Sequence, residues 1–183
     1  SFSSGGTTSN CIPTPYDNVY FDENSFGIGD QTVIINQTVH CKSMSWANVS
    51  NTPTWAGNYP YSMYIHGSLV LSSQMNITFS NPIIFTTSNS GNTIETAGKE
   101  LLSTIYFDGP VGEWTLQDNF TTTAGIYLTA GALNSNDVTV NASFFSSTGS
   151  GIRSLVLGSS VFNMSYTWYN PSYAWNVSGT NFT

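Results

Sequence analysis

The fold is decided by a stretch that occurs twice. Residues Leu69–Thr78 read LVLSSQMNIT, and residues Leu155–Ser165 read LVLGSSVFNMS, which is the same pattern with one residue inserted. In each copy, two short runs of apolar residues flank a turn rich in Ser or Gly. Such runs indicate short β-strands, and the return of a strand pair far along the chain indicates a repeat architecture.

A second motif also returns. Residues Trp114–Thr121, WTLQDNFT, recur as Trp175–Thr183, WNVSGTNFT, and a fainter copy, WANVSNT, covers Trp46–Thr52. From Leu101 onward the chain divides into pieces of roughly 22 residues with two or three short strands each, a length typical of solenoid coils. We therefore predict an all-β fold, a parallel β-helix or β-solenoid with short strands whose coils bury their inward sides on one another.

A β-sandwich, or tandem sandwiches, is the alternative fold, because short strands between frequent turns suit that class as well. Within the solenoid prediction, residues 1–60 are an N-terminal capping segment that carries a disulfide. Residues 61–183 are coils continuous with it, so that the chain is one structural unit. The opening SFSSGGTTSN lacks the basic and apolar regions of a signal peptide. The last residues read as a strand, and we expect a piece of a longer protein or a chain whose signal has been removed.

The composition excludes several classes of partner. Of the 183 residues, 39% are hydrophobic, 14% aromatic and only 7% charged, and three Lys or Arg face ten Asp or Glu for a net charge of −7. Binding of nucleic acid needs a Lys/Arg-rich face and is not expected. Membrane insertion is not expected either, because no apolar run reaches the ~18 residues of a spanning helix. Ser and Thr supply 50 residues and Asn 19, a polar surface without charge that suits an extracellular β protein.

The two cysteines, Cys11 and Cys41, bracket one segment of the chain. In an oxidising compartment they are expected to form a disulfide, which closes a loop worth roughly 3–4 kcal/mol in the chain-entropy model. In a reducing compartment they would be two buried thiols.

Several motifs carry a resemblance to a known family. They are Cys11–Phe26 (CIPTPYDNVYFDENSF), Gln31–Ile35, Cys41, Trp46, Gly67–Ser73, Gly112–Asp118 and Ser154–Ser160. From residue 11 to its end, the chain resembles modules of very large secreted, low-charge, β-rich repeat surface proteins of Bacteroidota. The resemblance implies export to the cell surface, an elongated β architecture and an adhesive or scaffolding role, and it brings no catalytic residues.

Two sets of residues are candidates for contact with sugars. Asn-x-Ser/Thr sequons, the acceptors of N-glycosylation, occur at Asn36, Asn48, Asn76, Asn119, Asn141, Asn163, Asn176 and Asn181. Asn and Thr also serve turns and outward strand positions, which is the alternative for these sites. The candidates for stacking on a bound glycan are Trp46, Trp55, Trp168 and Trp175, because an exposed flat aromatic ring offers an apolar face to a sugar. Their alternative is a ladder of rings in the core.

Acidic residues give one metal candidate and one catalytic candidate. Asp17, Asp22 and Asp30 crowd together with Asn side chains, an oxygen-rich set that suits calcium, and no other cofactor is expected. Asp108, Glu113 and Asp118 could serve a carbohydrate-active enzyme, which needs two facing carboxylates. We expect no catalysis, since turn chemistry explains an Asp before Gly.

The sequence thus predicts a non-catalytic extracellular structural segment of a cell-surface adhesin or filament, a stalk, spacer or polymerising subunit. Its partners would be copies of itself or the rest of a longer chain, with surface polysaccharide as a further candidate. The alternatives are a carbohydrate-binding module with exposed Trp and Tyr and, less favoured, the carbohydrate-active enzyme.

Overall fold

The computed structural model describes residues 12–27, 29–166 and 174–183. All the regular elements in these ranges are β-strands, and their pairings are parallel. The strands wind into a β-solenoid of about 7 turns. The all-β parallel β-helix predicted from the repeats is therefore confirmed.

Each coil passes through three faces in the same order. The first face contains β1 (Val19–Tyr20), β4 (Met44–Ser45), β7 (Leu69–Val70), β10 (Asn92–Glu95), the C-terminal parts of β12 (Ile105–Leu116) and β14 (Ile126–Asn134), and β17 (Arg153–Val156). The second face contains β2 (Thr32–Ile35), β5 (Thr54–Gly57), β8 (Asn76–Ile77), β11 (Glu100–Leu101), β13 (Phe120–Thr122), β15 (Thr139–Ala142) and β18 (Val161–Met164). The third face contains β3 (Val39–Cys41), β6 (Met63–Ile65), β9 (Ile83–Phe85), the N-terminal parts of β12 and β14, β16 (Phe145–Ser147) and β19 (Trp175–Val177). We number the coils 1 to 7 by their strand on the first face.

Equivalent residues of successive coils stack in register. On the third face, the inward row runs through Met63, Ile83, Ile105, Ile126 and Phe145. These positions are 19 to 22 residues apart, which agrees with the piece length in the sequence. All five side chains are at most 1% exposed, and burial of one such side chain contributes about 1.5–3 kcal/mol.

Aromatic rings fill the interior near the N-terminal end. Trp46 stacks on Phe26 with ring centroids 5.9 Å apart, and Trp55 stacks on Phe79 at 5.0 Å. The two tryptophans are 6.3 Å apart. The loop after β1 also places Phe21 on Trp46 at 4.1 Å. This loop therefore packs over the rings of coil 2.

Buried hydroxyl groups connect the coils at their corners. Ser103 Oγ donates to Phe79 O at 3.1 Å, Thr122 Oγ1 donates to Ser103 O at 2.7 Å, and Ser147 Oγ donates to Leu128 O at 2.9 Å. Each bond joins one coil to the preceding coil. Because buried carbonyl groups need hydrogen-bond partners, part of the Ser/Thr content serves the fold rather than the surface.

The two repeated sequence motifs differ in whether their copies occupy the same position in the coil. Leu69–Thr78 and Leu155–Ser165 both run from the first face to the second, in coils 3 and 7. Trp114 lies on the first face, whereas Trp175 lies on the third. The second motif therefore repeats a local strand–turn pattern but not a position in the coil. The division expected at residue 60 lies between β5 and β6 of coil 2, and the same ladders continue across it.

Candidate functional site

The outward side of the third face carries a row of aromatic residues. In register, the row is His40, Tyr64, Ile84, Tyr106, Tyr127, Ser146 and Asn176. The rings of Tyr106 and Tyr127 stack at 4.8 Å with an interplanar angle of 6°, and those of His40 and Tyr64 stack at 4.6 Å and 17°. Since the stacked faces cover one another, a ligand can reach only ring edges and the outermost ring faces.

A cleft of about 260 Å³ lies at the C-terminal part of this row. Its lining residues are Tyr127, Phe144, Ser146, Tyr166 and Asn176. The Phe144 ring meets Tyr127 and Tyr166 edge to face, at 5.2 and 5.9 Å, and it lies over Gly125, where any Cβ atom would overlap the ring. Burial, followed by the neighbouring Tyr106 and Tyr166 phenols, raises the pKa of Tyr127. The cleft thus combines aromatic walls with hydroxyl and amide groups and has no charged lining residue, which suits a neutral polar ligand.

A polar groove of about 630 Å³ runs beside the second face. Asn141 donates from Nδ2 to Thr121 Oγ1 at 3.1 Å, and Asn163 donates from Nδ2 to Asn141 Oδ1 at 2.9 Å. Glu100 precedes Thr121 in the same outward row. The amides here hydrogen-bond to the preceding coil, so the groove is lined by a ladder that follows the solenoid axis.

The last coil exposes its interior. Phe145 in coil 6 is 0% exposed, but Trp175, its partner in coil 7, is 40% exposed although it stacks on Phe145 at 4.7 Å. Leu133 is 1% exposed, whereas its partner Leu155 is only half-buried. The second and third faces end at β18 and β19 in the described part of the chain. Side chains that belong to a core therefore meet solvent at this end.

Arg153 contributes a buried cation to the same coil. The side chain is 0% exposed, and Nη2 donates to Thr180 O at 2.9 Å. Its Nε and Nη1 atoms have no hydrogen-bond acceptor among the described residues. The backbone N–H of Arg153 donates to Asn181 O at 2.9 Å, and Phe182 forms a parallel bridge to Arg153. Residues 181–183 therefore extend the first face beyond β17.

The structure corrects two of the glycan-stacking predictions. Trp46 and Trp55 are both 0% exposed, so neither can stack on a sugar, and both prove to be core-ladder residues. Trp175 is partly exposed, but it points inward on the third face. Trp168 lies outside the described residues. Sequence reasoning missed Phe144 and Tyr127 because they lie in different coils, and only the coil spacing could have grouped them.

The sequons lie mostly at exposed positions. The exposed asparagines are Asn36, Asn48, Asn76, Asn119, Asn163 and Asn181, and the half-buried ones are Asn141 and Asn176. Asn119 Oδ1 accepts from Thr139 N at 2.9 Å, and Asn181 Nδ2 donates to Ser150 O at 3.0 Å. These two amides have structural roles in addition to being candidate acceptors.

The predicted calcium ligands cap separate turns. Asp17 Oδ2 accepts from Thr14 N at 2.9 Å and from Thr14 Oγ1 at 2.6 Å, and these bonds lower the pKa of Asp17. Asp22 Oδ1 accepts from the backbone N–H two residues along at 3.0 Å, and Asp30 Oδ1 accepts from Thr52 Oγ1 at 3.0 Å. The part of the chain that the structure describes contains no group of three His, Cys, Asp or Glu residues suited to a metal.

The three carboxylates considered for catalysis have different surroundings. Asp118 accepts from Thr96 N at 2.8 Å and from a second backbone N–H at 3.1 Å, and Asp108 accepts from Thr129 Oγ1 at 2.8 Å. Glu113 is exposed. Asp118 and Asp108 are thus hydrogen-bonded within the wall of the solenoid.

Cys41 points into the core and is 0% exposed. Burial raises the pKa of its thiol to about 12. Cys11 lies outside the described residues, so the disulfide stays a prediction.

Comparison of the chain with protein-family models, with curated proteins and with solved structures finds no match in any of the three. Within the described ranges, no helix has the length and apolarity needed to cross a membrane.

Proposed function

We propose that this chain is a non-catalytic, extracellular structural segment, a stalk, spacer or polymerising subunit of a cell-surface adhesin or filament. The observation that carries the proposal is the open last coil, where Trp175 is 40% exposed although its partner Phe145 is fully buried. Apolar residues at inward positions are stable when a further coil stacks on them. Strand edges without partners bind other strands by backbone hydrogen bonding.

The strand spacing and the number of coils predict the axial repeat of a filament made of copies of this chain. Neighbouring parallel strands are about 4.8 Å apart, so seven coils span about 34 Å along the axis. Fibres assembled end to end should therefore show the strand spacing and an axial subunit repeat of about 34 Å. Electron microscopy and fibre diffraction of concentrated protein measure both distances.

A charged substitution in the last coil tests the proposal, and the same substitution on an exposed strand position is the matched control. Trp175→Lys places a cation where the incoming coil would lie, whereas Val111→Lys makes a comparable change at a residue that is 64% exposed in β12. Sedimentation over a range of concentrations should show association of the wild type and of Val111→Lys but not of Trp175→Lys. Wild-type protein that stays monomeric throughout would exclude the polymerising subunit. Equal binding of an apolar dye by wild type and Trp175→Lys would contradict an open core in the stalk or spacer too.

A carbohydrate-binding module is the second candidate function, and the cleft around Phe144 supports it. The ligand would be a neutral saccharide, because ring faces suit sugar C–H groups while Ser146 and Asn176 supply polar contacts. Phe144→Ala should abolish retention on a glycan array, and Tyr64→Ala, at an outward position in coil 2, should not change it. If both variants retain wild-type binding, the cleft is not the site.

Export, glycosylation and the Cys11–Cys41 disulfide belong to the same proposal. The exposed sequons and the scarcity of charged side chains support a surface location. Intact mass of the native protein tests both modifications. Hexose-sized increments indicate glycans, and alkylation of the denatured chain only after reduction indicates the disulfide.

A further inference from the structure

The two histidines of the chain meet on the outward side of the third face. His40 lies on β3, and His66 directly follows β6, in the next coil. His40 Nδ1 and His66 Nε2 are 3.1 Å apart. Two nitrogen ligands of a tetrahedral zinc ion, each about 2.0–2.1 Å from the metal, are about 3.4 Å apart. The two rings therefore already hold their nitrogens close to the separation that one metal ion requires.

The surroundings hold both rings in place. The His40 ring stacks on Tyr64 at 4.6 Å, and the backbone N–H of His66 donates to Cys41 O at 2.9 Å. Both histidines are half-buried. Fixed ligand rings lower the entropy lost on binding, which is the usual advantage of a preorganised site.

We propose that His40 and His66 form a two-imidazole site for a divalent transition-metal ion that prefers nitrogen ligands, such as Zn²⁺ or Ni²⁺. Imidazole suits these ions, whereas Mg²⁺ prefers oxygen. Water completes the coordination. The proton of the hydrogen bond between the two facing nitrogens moves to the other nitrogen of its own ring, so that each facing nitrogen offers a lone pair to the metal.

A lysine adjoins the histidine pair. A cavity of about 530 Å³ adjoins His66, and Lys42 is the charged residue that lines it, together with the phenol of Tyr16. The ammonium opposes a bound cation locally, whereas the net charge of −7 attracts cations to the whole molecule.

Cys41 does not take part, although it follows His40 directly. Successive side chains of a strand point to opposite sides, and the Cys41 thiol is 0% exposed in the core. The site therefore depends on the two imidazoles alone, so substitution of the histidines tests it directly.

Calorimetric titration of the full chain with ZnCl₂ or NiCl₂ tests the proposal, with MgCl₂ as the comparison. We expect one Zn²⁺ or Ni²⁺ per chain and no heat from Mg²⁺. His40→Gln and His66→Gln, which keep a hydrogen-bonding amide, should each weaken binding by at least about tenfold. Lys42→Gln should tighten it, because it removes the opposing charge. Trp175→Lys should leave it unchanged, so this result is independent of the open coil.

A second measurement covers variants that fail to fold. Acylation of wild-type imidazoles by diethyl pyrocarbonate should abolish metal binding, and bound Zn²⁺ should slow the acylation. The proposal is overturned if wild type binds no transition metal, or if binding survives both Gln substitutions. Acylation at the same rate with and without Zn²⁺ overturns it as well.

Discussion

Gly131→Ala tests the tight corner between the third and first faces. Gly131 adopts φ +91°, in the left-handed region that favours glycine. A Cβ atom there would lie 2.6 Å from Gly112 O and 3.3 Å from Trp114 Cζ3, in the preceding coil. Gly112 O is backbone of β12, which pairs with β14 across this corner. The overlap cannot be relieved without moving the ladder.

The expected loss of stability has two parts. A non-glycine residue in the left-handed region costs about 1–2 kcal/mol, and overpacking against fixed neighbours adds about 1–3 kcal/mol. Gly98→Ala is the matched control, because Gly98 has φ +73° but no atom within 4 Å of its Cβ position. Gly98→Ala should therefore cost only the first part. Gly131→Ala should cost about 2–5 kcal/mol in total.

Urea unfolding followed by circular dichroism measures both variants against the wild type. We expect the Gly131→Ala midpoint to lie clearly below that of Gly98→Ala. Hydrogen exchange should locate the extra loss in coils 4 to 6, because a solenoid coil interacts mainly with its neighbours. Equal losses in the two variants would refute the reasoning, since they would show that the corner accommodates a methyl group freely.

Three further substitutions probe other parts of the solenoid. Phe145→Ala should cost about 3–5 kcal/mol of unfolding free energy. Trp175→Ala should cost only about 2–3 kcal/mol, because 40% of Trp175 is already exposed. Equal costs of the two variants in dilute monomer would indicate that the last coil is covered. Asp118→Ala should lose about 1–3 kcal/mol by thermal unfolding, because it leaves the buried Thr96 N–H without its acceptor, while the Thr96 hydroxyl keeps Asn119 O as acceptor. An unchanged melting temperature would contradict that role. The lowered pKa of His66 makes the unfolded chain bind its proton first, so the contribution of this group is complete above about pH 6.5 and is lost as pH falls through the lowered pKa. His66→Gln should flatten the pH dependence of stability below about pH 6.5, and an unaltered slope would exclude this contribution.

The fold was predictable because a solenoid repeats its coil in the sequence. Leu69–Thr78 and Leu155–Ser165 run across the same two faces, and strands of two to four residues left short alternating runs that the pattern could identify. The burial of Trp46 and Trp55 was not decided by the sequence. An aromatic residue in a short strand can point to either side, and a shift of one residue in the register reverses the choice.

The candidate sites were harder to predict because they are built across coils. His40 and His66 are 26 residues apart in the chain, and a histidine pair leaves no motif at such a distance. The same holds for Tyr106 and Tyr127, whose rings stack only because one coil takes 21 residues between them. Before the length of each coil is known, such residues cannot be assigned to one row.

Inward-pointing and outward-pointing side chains of the solenoid have different roles, the first in stability and the second in binding. Inward positions are filled by apolar side chains and bonded hydroxyls, with Arg153 as a buried cation in the last coil, so a ligand reaches only outward rows or an uncovered end. The outward rows hold stacked rings and amide ladders whose groups already bind one another, as Asn141 and Asn163 do. The last coil is different among the described residues: Trp175 is 40% exposed although its partner Phe145 is fully buried, and Leu155, whose N–H donates to Thr183 O, is only half-buried although its partner Leu133 is 1% exposed. Burial of these residues therefore provides a driving force for association that the sides of the solenoid lack, which is why the structural function ranks above the carbohydrate-binding one.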